Sequence, residues 1–503
     1  MEPTAMTEAD RPPSPLADGP DEVDPRRWRA LAVTLLAAFI VLLDVSIVNV
    51  ALPSIERDMA ISAATAQWVV SGYALALGLT LVPAGRLGDA LGRRRMFLIA
   101  LAAFIVTSSL TGAAPTPTLL IGARIVQGIA GGMLIPQNSG LIQQLFRGAE
   151  RARAFGILGA TIGVATAAGP VIGGLILAMG SGPDAWRWVF YVNVPLGLIA
   201  LVLAARLVPA TTGGGWRASD LDLLGSLLLG GGVLSLLIPL VDAGSGGLSQ
   251  MSWLWGVAVL LLAGFCCWEV HTVQRGRQPL LDPGLVRTPG YPAGAAIGLI
   301  YFIGFTGIWL VLALFFQDGL GYSALRSGLS VTPFALGVAI SAVIAGRLVP
   351  RFGRWLTICG LSATVAGLLV TALILRHTTG PAATWAIVGP LFFAGLGGGL
   401  VTSPNVTLTL ENVPVRMAGA AGGALQTAQR IGGAIGAATL VTVFYHVLAD
   451  GHDFSTAISD TLISAAGFML LALLMATAEV ARRRRHGPRP APQEQPEPQA
   501  HHL

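Results

Sequence analysis

The sequence predicts an all-α polytopic membrane protein, with two six-helix bundles, two further helices between them and fourteen spans in all. Three observations carry this. The 503 residues are 53% hydrophobic and 11% charged, with a mean hydropathy of +0.70, and apolar runs of about 20 residues recur, the length a helix needs to cross a bilayer. Arginines gather beside alternate ends of those runs. Two stretches of sequence also return eight spans later.

The apolar runs place spans at about 30–53, 66–87, 96–115, 118–139, 154–178, 187–208, 220–241, 252–271, 292–316, 328–348, 356–375, 384–405, 418–445 and 460–480. They group as a first bundle over 30–208, two inserted helices over 219–271 and a second bundle over 290–480. Residues 1–29 are rich in Pro, Asp and Glu and lack the apolar core of a signal peptide. With the Pro- and Gln-rich residues 481–503 they read as disordered cytoplasmic tails.

Arginine placement sets the orientation. Arg26, Arg27 and Arg29 precede span 1; Arg93, Arg94 and Arg95 follow span 2; Arg147, Arg151 and Arg153 follow span 4. Arg275, Arg277 and Arg287 follow span 8, Arg351 and Arg354 follow span 10, and Arg482 to Arg485 follow span 14. All fall on one side if both termini are cytoplasmic. The net charge of +5 is thus spread over helix ends, so no nucleic-acid partner is expected. All 31 basic residues are arginine, and without lysine no GxxxxGK[ST] phosphate loop can exist in this chain. Cys266, Cys267 and Cys359 sit in apolar segments and read as small packing residues rather than a disulfide or metal set.

The repeats follow a constant spacing. Gly85-Arg86-Leu87-Gly88-Asp89-Ala90-Leu91-Gly92-Arg93-Arg94-Arg95, after span 2, is echoed by Gly346-Arg347-Leu348-Val349-Pro350-Arg351-Phe352-Gly353-Arg354 after span 10. Gly156, Gly159, Gly169 and Gly173 of span 5 match Gly419, Gly422, Gly432 and Gly436 of span 13. Eight spans between partners means six plus two, which makes spans 7 and 8 the insertion. Internal repeats of this kind mark secondary transporters, whose substrate site lies between the halves near the midplane.

Two charges stand deep in apolar helices. Asp44 lies roughly 4 Å past the midpoint of span 1, and Arg124 roughly 6 to 7 Å outward of the midpoint of span 4, at 1.5 Å per residue. A charge near the bilayer centre costs about 2.5–3.5 kcal/mol even on insertion scales. A structural polar anchor is one reading. The other is a relay in which Asp44 gains and loses a proton under the control of Arg124. Arg124 heads a face of Gln127, Gly128, Gly131 and Gly132 that is polar and small, suited to a neighbouring helix. The loop Gly85 to Arg95, with Gly85, Arg86, Gly88, Asp89, Gly92 and Arg93, reads as a latch in which Asp89 caps or pairs across the bundle. Span 5 carries Gly156, Gly159, Gly163, Gly169, Pro170, Gly173 and Gly174, much of it on one face that should pack closely on a neighbour, with Pro170 bending the helix.

These segments resemble the major facilitator superfamily, and within it the fourteen-span drug:proton antiporter branch (EmrB/QacA-like). The Gly85–Arg95 stretch resembles the superfamily's signature between helices 2 and 3. Leu43-Asp44-Val45-Ser46-Ile47-Val48-Asn49-Val50-Ala51-Leu52-Pro53 resembles the branch's helix-1 signature, with Ser46 where Thr is usual. Arg124-Ile125-Val126-Gln127-Gly128 resembles the helix-4 proton-transfer motif. Gly163 to Gly174, with Gly169-Pro170, resembles the helix-5 antiporter motif, and Trp186-Arg187-Trp188-Val189-Phe190-Tyr191-Val192-Asn193-Val194-Pro195 the start of helix 6.

The resemblance implies the major facilitator fold and alternating access. It further implies a cavity between the bundles, for which Asn49 and Gln127 are the candidate lining, and proton coupling through Asp44 and Arg124. It implies multidrug or antibiotic efflux of small amphipathic compounds by a monomer in the bacterial cytoplasmic membrane, powered by the proton gradient with no cofactor and no bound metal. Some members of the branch use a further acid in the second bundle for cationic drugs. Spans 9 to 13 carry none in mid-membrane, since Asp318 and Glu411 lie near span ends, which favours neutral or monovalent substrates. Glu269 and Glu479, near the inner ends of spans 8 and 14, read as interfacial. Export of one endogenous metabolite, or solute uptake by proton symport, are the alternatives. A membrane enzyme or receptor is disfavoured because no HExxH, GxSxG or CxxC motif occurs and the loops are short.

Overall fold

The structure is a computed structural model that describes residues 26–180, 182–209, 222–241, 250–277, 279–378 and 380–486. Most of the two tails therefore lies outside the described residues. Among the described residues, fourteen helices are long and apolar enough to span a membrane. In the first bundle these are α1 (Arg27–Met59), α2 (Ala63–Leu91), α3 (Arg93–Ala113), α4 (Pro117–Leu145), α5 (Gly148–Met179) and α6 (Pro183–Leu207, opened by a 3₁₀ turn). The two inserted helices are α7 (Leu223–Val241) and α8 (Trp253–Gln274). The second bundle holds α9 (Tyr291–Leu314, continued by a π turn at Phe315–Gly319), α10 (Ala324–Phe352), α11 (Arg354–His377), α12 (Val388–Thr409), α13 (Ala418–Ala449) and α14 (Phe454–His486).

Most helices overrun the apolar runs, and α1, α2, α4, α5, α10, α11 and α14 do so at both ends. Inside lipid every backbone N–H and C=O must be satisfied internally, so a span stays helical until water or a cap takes over. Ser62, Thr116 and Ser323 supply such caps, accepting from the N–H groups of Thr65, Leu119 and Arg326. The stretch expected as a loop after span 2 is mostly helix. α2 runs to Leu91, only Gly92 interrupts it with φ of 96°, and α3 starts at Arg93. A sharp two-helix corner needs one residue in a conformation that glycine alone adopts without strain.

Each bundle has its own apolar core. Ile40, Phe97, Phe104 and Leu134 belong to the first, and Ile308, Phe316, Leu368 and Leu462 to the second. A third cluster joins the bundles on the arginine-rich side, where Leu31, Leu35, Phe146 and Phe155 meet Leu285, Tyr291, Leu410 and Leu425. On the opposite side the comparable cluster, with Ile47, Ile55, Val69 and Trp186, stays within the first bundle. The inserted helices pack on each other and against α2 and α13 through Leu75, Val233, Leu237 and Ile431.

The two sequence echoes meet crosswise. Gly85 of α2 lies against Gly419 of α13, and a Cβ on Gly419 would stand 2.5 Å from the Gly85 carbonyl oxygen. Gly156 of α5 lies against Gly346 of α10, where an added Cβ on either would stand 2.9 Å from the other's Cα. Lipid offers helices no hydrophobic drive to associate, so close backbone approach through small residues supplies the contact.

The three cysteines depart from expectation. Each is free and exposed, on helix surfaces turned away from the cores.

Candidate functional site

Asp44 of α1 and Arg124 of α4 touch. Arg124 Nη1 donates to Asp44 Oδ2 at 2.6 Å, with side-chain exposures of 1% and 0%. Asp44 Oδ1 accepts from Asn193 Nδ2 at 2.8 Å and from Gln127 Nε2 at 3.1 Å. The guanidinium also donates through Nε to the Val69 carbonyl at 3.0 Å and lies 4.0 Å over the Tyr73 ring. Ser108 accepts from both amides, at 3.2 Å from Gln127 and 3.1 Å from Asn193. Opposite charges removed from water are tolerated only with near-ideal pairing and with their remaining hydrogen-bond capacity filled. This network provides both, and a proton delivered to Asp44 would break its strongest link.

The sequence placed Asp44 and Arg124 at like depth, and the structure joins them. It also corrects one candidate. Gln127 does not line open space: it is fully buried and spends its amide on Asp44, Arg124, Ser108 and Thr111. An amide one helical turn from a buried ion pair is more useful as a donor to it. Asn49 is exposed, on the side away from the arginines. Asn193 and Ser108 were missed as site residues. Asn193 is the one amide in the apolar run Val192-Asn193-Val194-Pro195, and that isolation was the available signal.

At the arginine-rich seam, Asp89 caps α13. Its carboxylate accepts from the Gly419 N–H at 3.2 Å and the Ala420 N–H at 3.1 Å, where the helix dipole also favours a negative charge. Arg93 holds the same carboxylate at 2.8 Å and donates to the Val415 carbonyl at 2.6 Å and the Gly140 carbonyl at 2.5 Å. Gly88 abuts Gln137 of α4, whose amide donates to the Ala84 carbonyl at 2.8 Å; Arg86 is half-buried alongside. The echoed seam lacks this device. Pro350 stands where the repeat would carry an acid, and Arg354 turns inward to Asn405 at 2.6 Å and Glu479 at 2.9 Å. Glu479 and Glu269 therefore sit inside the protein rather than at a wet interface, with Glu269 accepting from the Leu281 N–H at 3.2 Å.

The small residues of α5 serve two neighbours, not one face. Gly163 and Pro170 meet α10, at Ala335 and Gly328, whereas Gly169 and Gly173 meet α1 at Ser46 and Ile47. Ser46 donates to the Thr166 carbonyl at 2.9 Å, which ties α1 to α5 two residues from Asp44.

A family model described as Major Facilitator Superfamily matches residues 34–437. The chain belongs to the major facilitator superfamily. It is 36% identical over 451 residues to the probable actinorhodin transporter of Streptomyces coelicolor, covering 89% of this chain and 77% of that one. It is 39% identical over 426 residues to the puromycin resistance protein pur8 of Streptomyces alboniger, covering 84% and 82%. A human organic anion transporter (TETRAN) superposes with a TM-score of 0.66, covering 90% of this chain and 100% of that one; at 14% identity this likeness speaks for the major facilitator fold alone.

Proposed function

We propose that this major facilitator protein exports small amphipathic compounds, antibiotics among them, across the bacterial cytoplasmic membrane in exchange for protons. The relatives named for actinorhodin transport and puromycin resistance support export, and the buried Asp44–Arg124 pair, the observation that carries the reading, supports proton coupling. The arginine-rich face, and so both termini, lies in the cytoplasm. The seal at that face, with Asn49 exposed opposite, is then the outward-facing state. A proton entering from outside neutralises Asp44 and weakens its hold on Arg124. Arg124 keeps the Val69 carbonyl, Gln127 and the Tyr73 ring, so the helices rearrange without leaving a bare guanidinium. Parting of Asp89 from α13 opens the cytoplasmic side, where the proton is released and substrate enters. No cofactor is needed, because the proton gradient supplies the energy.

The test is proton movement in inverted vesicles, followed with a pH-sensitive dye as lipophilic antibiotics and dyes are added. Substrate-driven proton release by the natural chain that vanishes in Asp44→Asn supports exchange at Asp44. Release that survives the substitution moves the coupling elsewhere.

A further inference from the structure

The Asp44–Arg124 pair is electrically balanced, but a second deep cation is not. Arg430 lies near the middle of α13, 12 residues beyond Ala418 in a helix of 32. Among the described residues it has no hydrogen bond and no ion pair. Its near neighbour is Tyr73, within electrostatic range across the boundary between the bundles, whose ring already carries Arg124 on one face. Asp44, Arg124 and Arg430 together thus hold one negative and two positive charges. An uncompensated guanidinium at this depth is costly, and such a group is retained where a counter-ion arrives.

The surroundings can admit one. α2 and α13 run antiparallel, with Gly85 at Gly419 and Leu81 at Gly423, which brings Gly78 to the level of Gln426, one turn inward of Arg430. No heavy atom lies within 4 Å of where a Cβ on Gly78 would stand, so there is open space along α2 at that level. From the second bundle, Thr306 of α9 stands beside Gly433, one turn outward of Arg430. A further turn outward along α9, Trp309 has a buried indole N–H with no acceptor. Trp309 belongs to a ring group with Phe302, Phe305 and Phe334, and these four are packed by edge and tilted contacts 5.2–6.3 Å between centroids.

Resting on the export reading above, we propose that Arg430 is the anion-binding group of the substrate site, and that the substrates are aromatic monoanions such as carboxylates or phenolates. Arg430 and the Trp309 N–H both donate and both lack an acceptor, and an anionic oxygen is an acceptor. The half-buried rings of Phe302, Phe305 and Trp309 on α9, backed by the buried Phe334 of α10, supply a surface for a flat apolar body. The guanidinium holds a carboxylate through paired N–H groups, which a neutral amide or ester of the same skeleton cannot match.

The experiment uses two fluorescent probes of one shape, 9-anthracenecarboxylate and 9-anthracenecarboxamide. Binding is read as fluorescence polarisation with the purified full chain in nanodiscs. The natural chain binds the carboxylate roughly tenfold or more tighter than the carboxamide, the difference expected for a hydrogen-bonded charge. Arg430→Gln erases that preference and leaves carboxamide binding unchanged, which also shows that the fold is intact; Arg430→Lys keeps part of it. Equal binding of the two probes by the natural chain, or an equal loss of both in Arg430→Gln, overturns the anion site. Proton release is scored separately. Arg430-dependent carboxylate binding that moves no protons leaves this site standing and removes the exchange reading. Proton release that is indifferent to Arg430 does the reverse.

Discussion

Asp44→Asn removes one charge of a fully buried pair, so two effects are expected and can be separated. Arg124 is left without a counter-charge, which costs about 3–5 kcal/mol when one partner of a buried pair is removed; thermal unfolding in detergent will show a lowered midpoint. Asp44→Asn combined with Arg124→Gln restores much of the midpoint and none of the substrate-driven proton release. Arg124→Lys keeps the charge but not the geometry. One ammonium cannot serve Asp44, the Val69 carbonyl and Gln127 while lying flat over Tyr73, and an initial transport rate lower by about tenfold is expected, worth about 1.4 kcal/mol. At this scale the sequence was legible where a charge broke an unmixed apolar run. Asp44 and Arg124 announced themselves that way. Asn193 did not, because an amide costs less to bury than a charge and looks ordinary at a helix start. Arg430 was hidden by its setting, since the glycines around it match those of α5 and draw attention to the echo instead.

The elements carry the seam at the arginine-rich face. Asp89→Asn keeps the side chain's shape but loses the ion pair with Arg93 and the charge at the start of α13. Hydrogen bonds to charged groups are worth about 1.5–3 kcal/mol, so the population sealed at the arginine-rich face falls by roughly 10- to 100-fold relative to one open there. Spin labels at the exposed positions Arg95 and Val415, in a chain whose three exposed cysteines are replaced, will report a longer distance across the arginine-rich seam. Gly85→Val acts by bulk where Asp89→Asn acts by charge. Its side chain collides with the Gly419 carbonyl, so the same label pair should again separate. All fourteen spans were legible because the length of an apolar run is a physical requirement of the bilayer. Their ends were not, because a helix continues past the apolar part until a cap or water relieves its last N–H groups. The two-sided use of α5 escaped for a related reason. Spacing shows which residues share a face but not how many neighbours that face meets, and Gly163 and Gly169 turned out to face different helices.

For the whole molecule, charge decides how hard the membrane potential pulls. Exchange of one proton for a neutral compound carries one charge inward, worth about 2.3 kcal/mol at 100 mV, enough for a gradient of roughly 40-fold at 1.4 kcal/mol per tenfold. Exchange for a monoanion held by Arg430 carries two, and the attainable gradient rises to roughly 2,000-fold by the same conversion. In vesicles whose potential is set by potassium and valinomycin, transport of 9-anthracenecarboxylate should steepen with voltage more than that of its carboxamide. A common slope would mean that the two probes carry the same charge through the cycle.

The crosswise meeting of Gly85 with Gly419 and of Gly346 with Gly156 has one more consequence. Swapping each echo for its partner exchanges these two contacts, so the surface is arranged like the isologous interface of a symmetric dimer of a single six-helix unit. Each half brings one strip of each seam, and neither seam depends on the chain that connects them. Two polypeptides divided between α7 and α8 should therefore find each other in the bilayer and rebuild both contacts. The covalent link then serves chiefly to let the halves differ, one carrying Asp89 and the other Pro350 at the matching place.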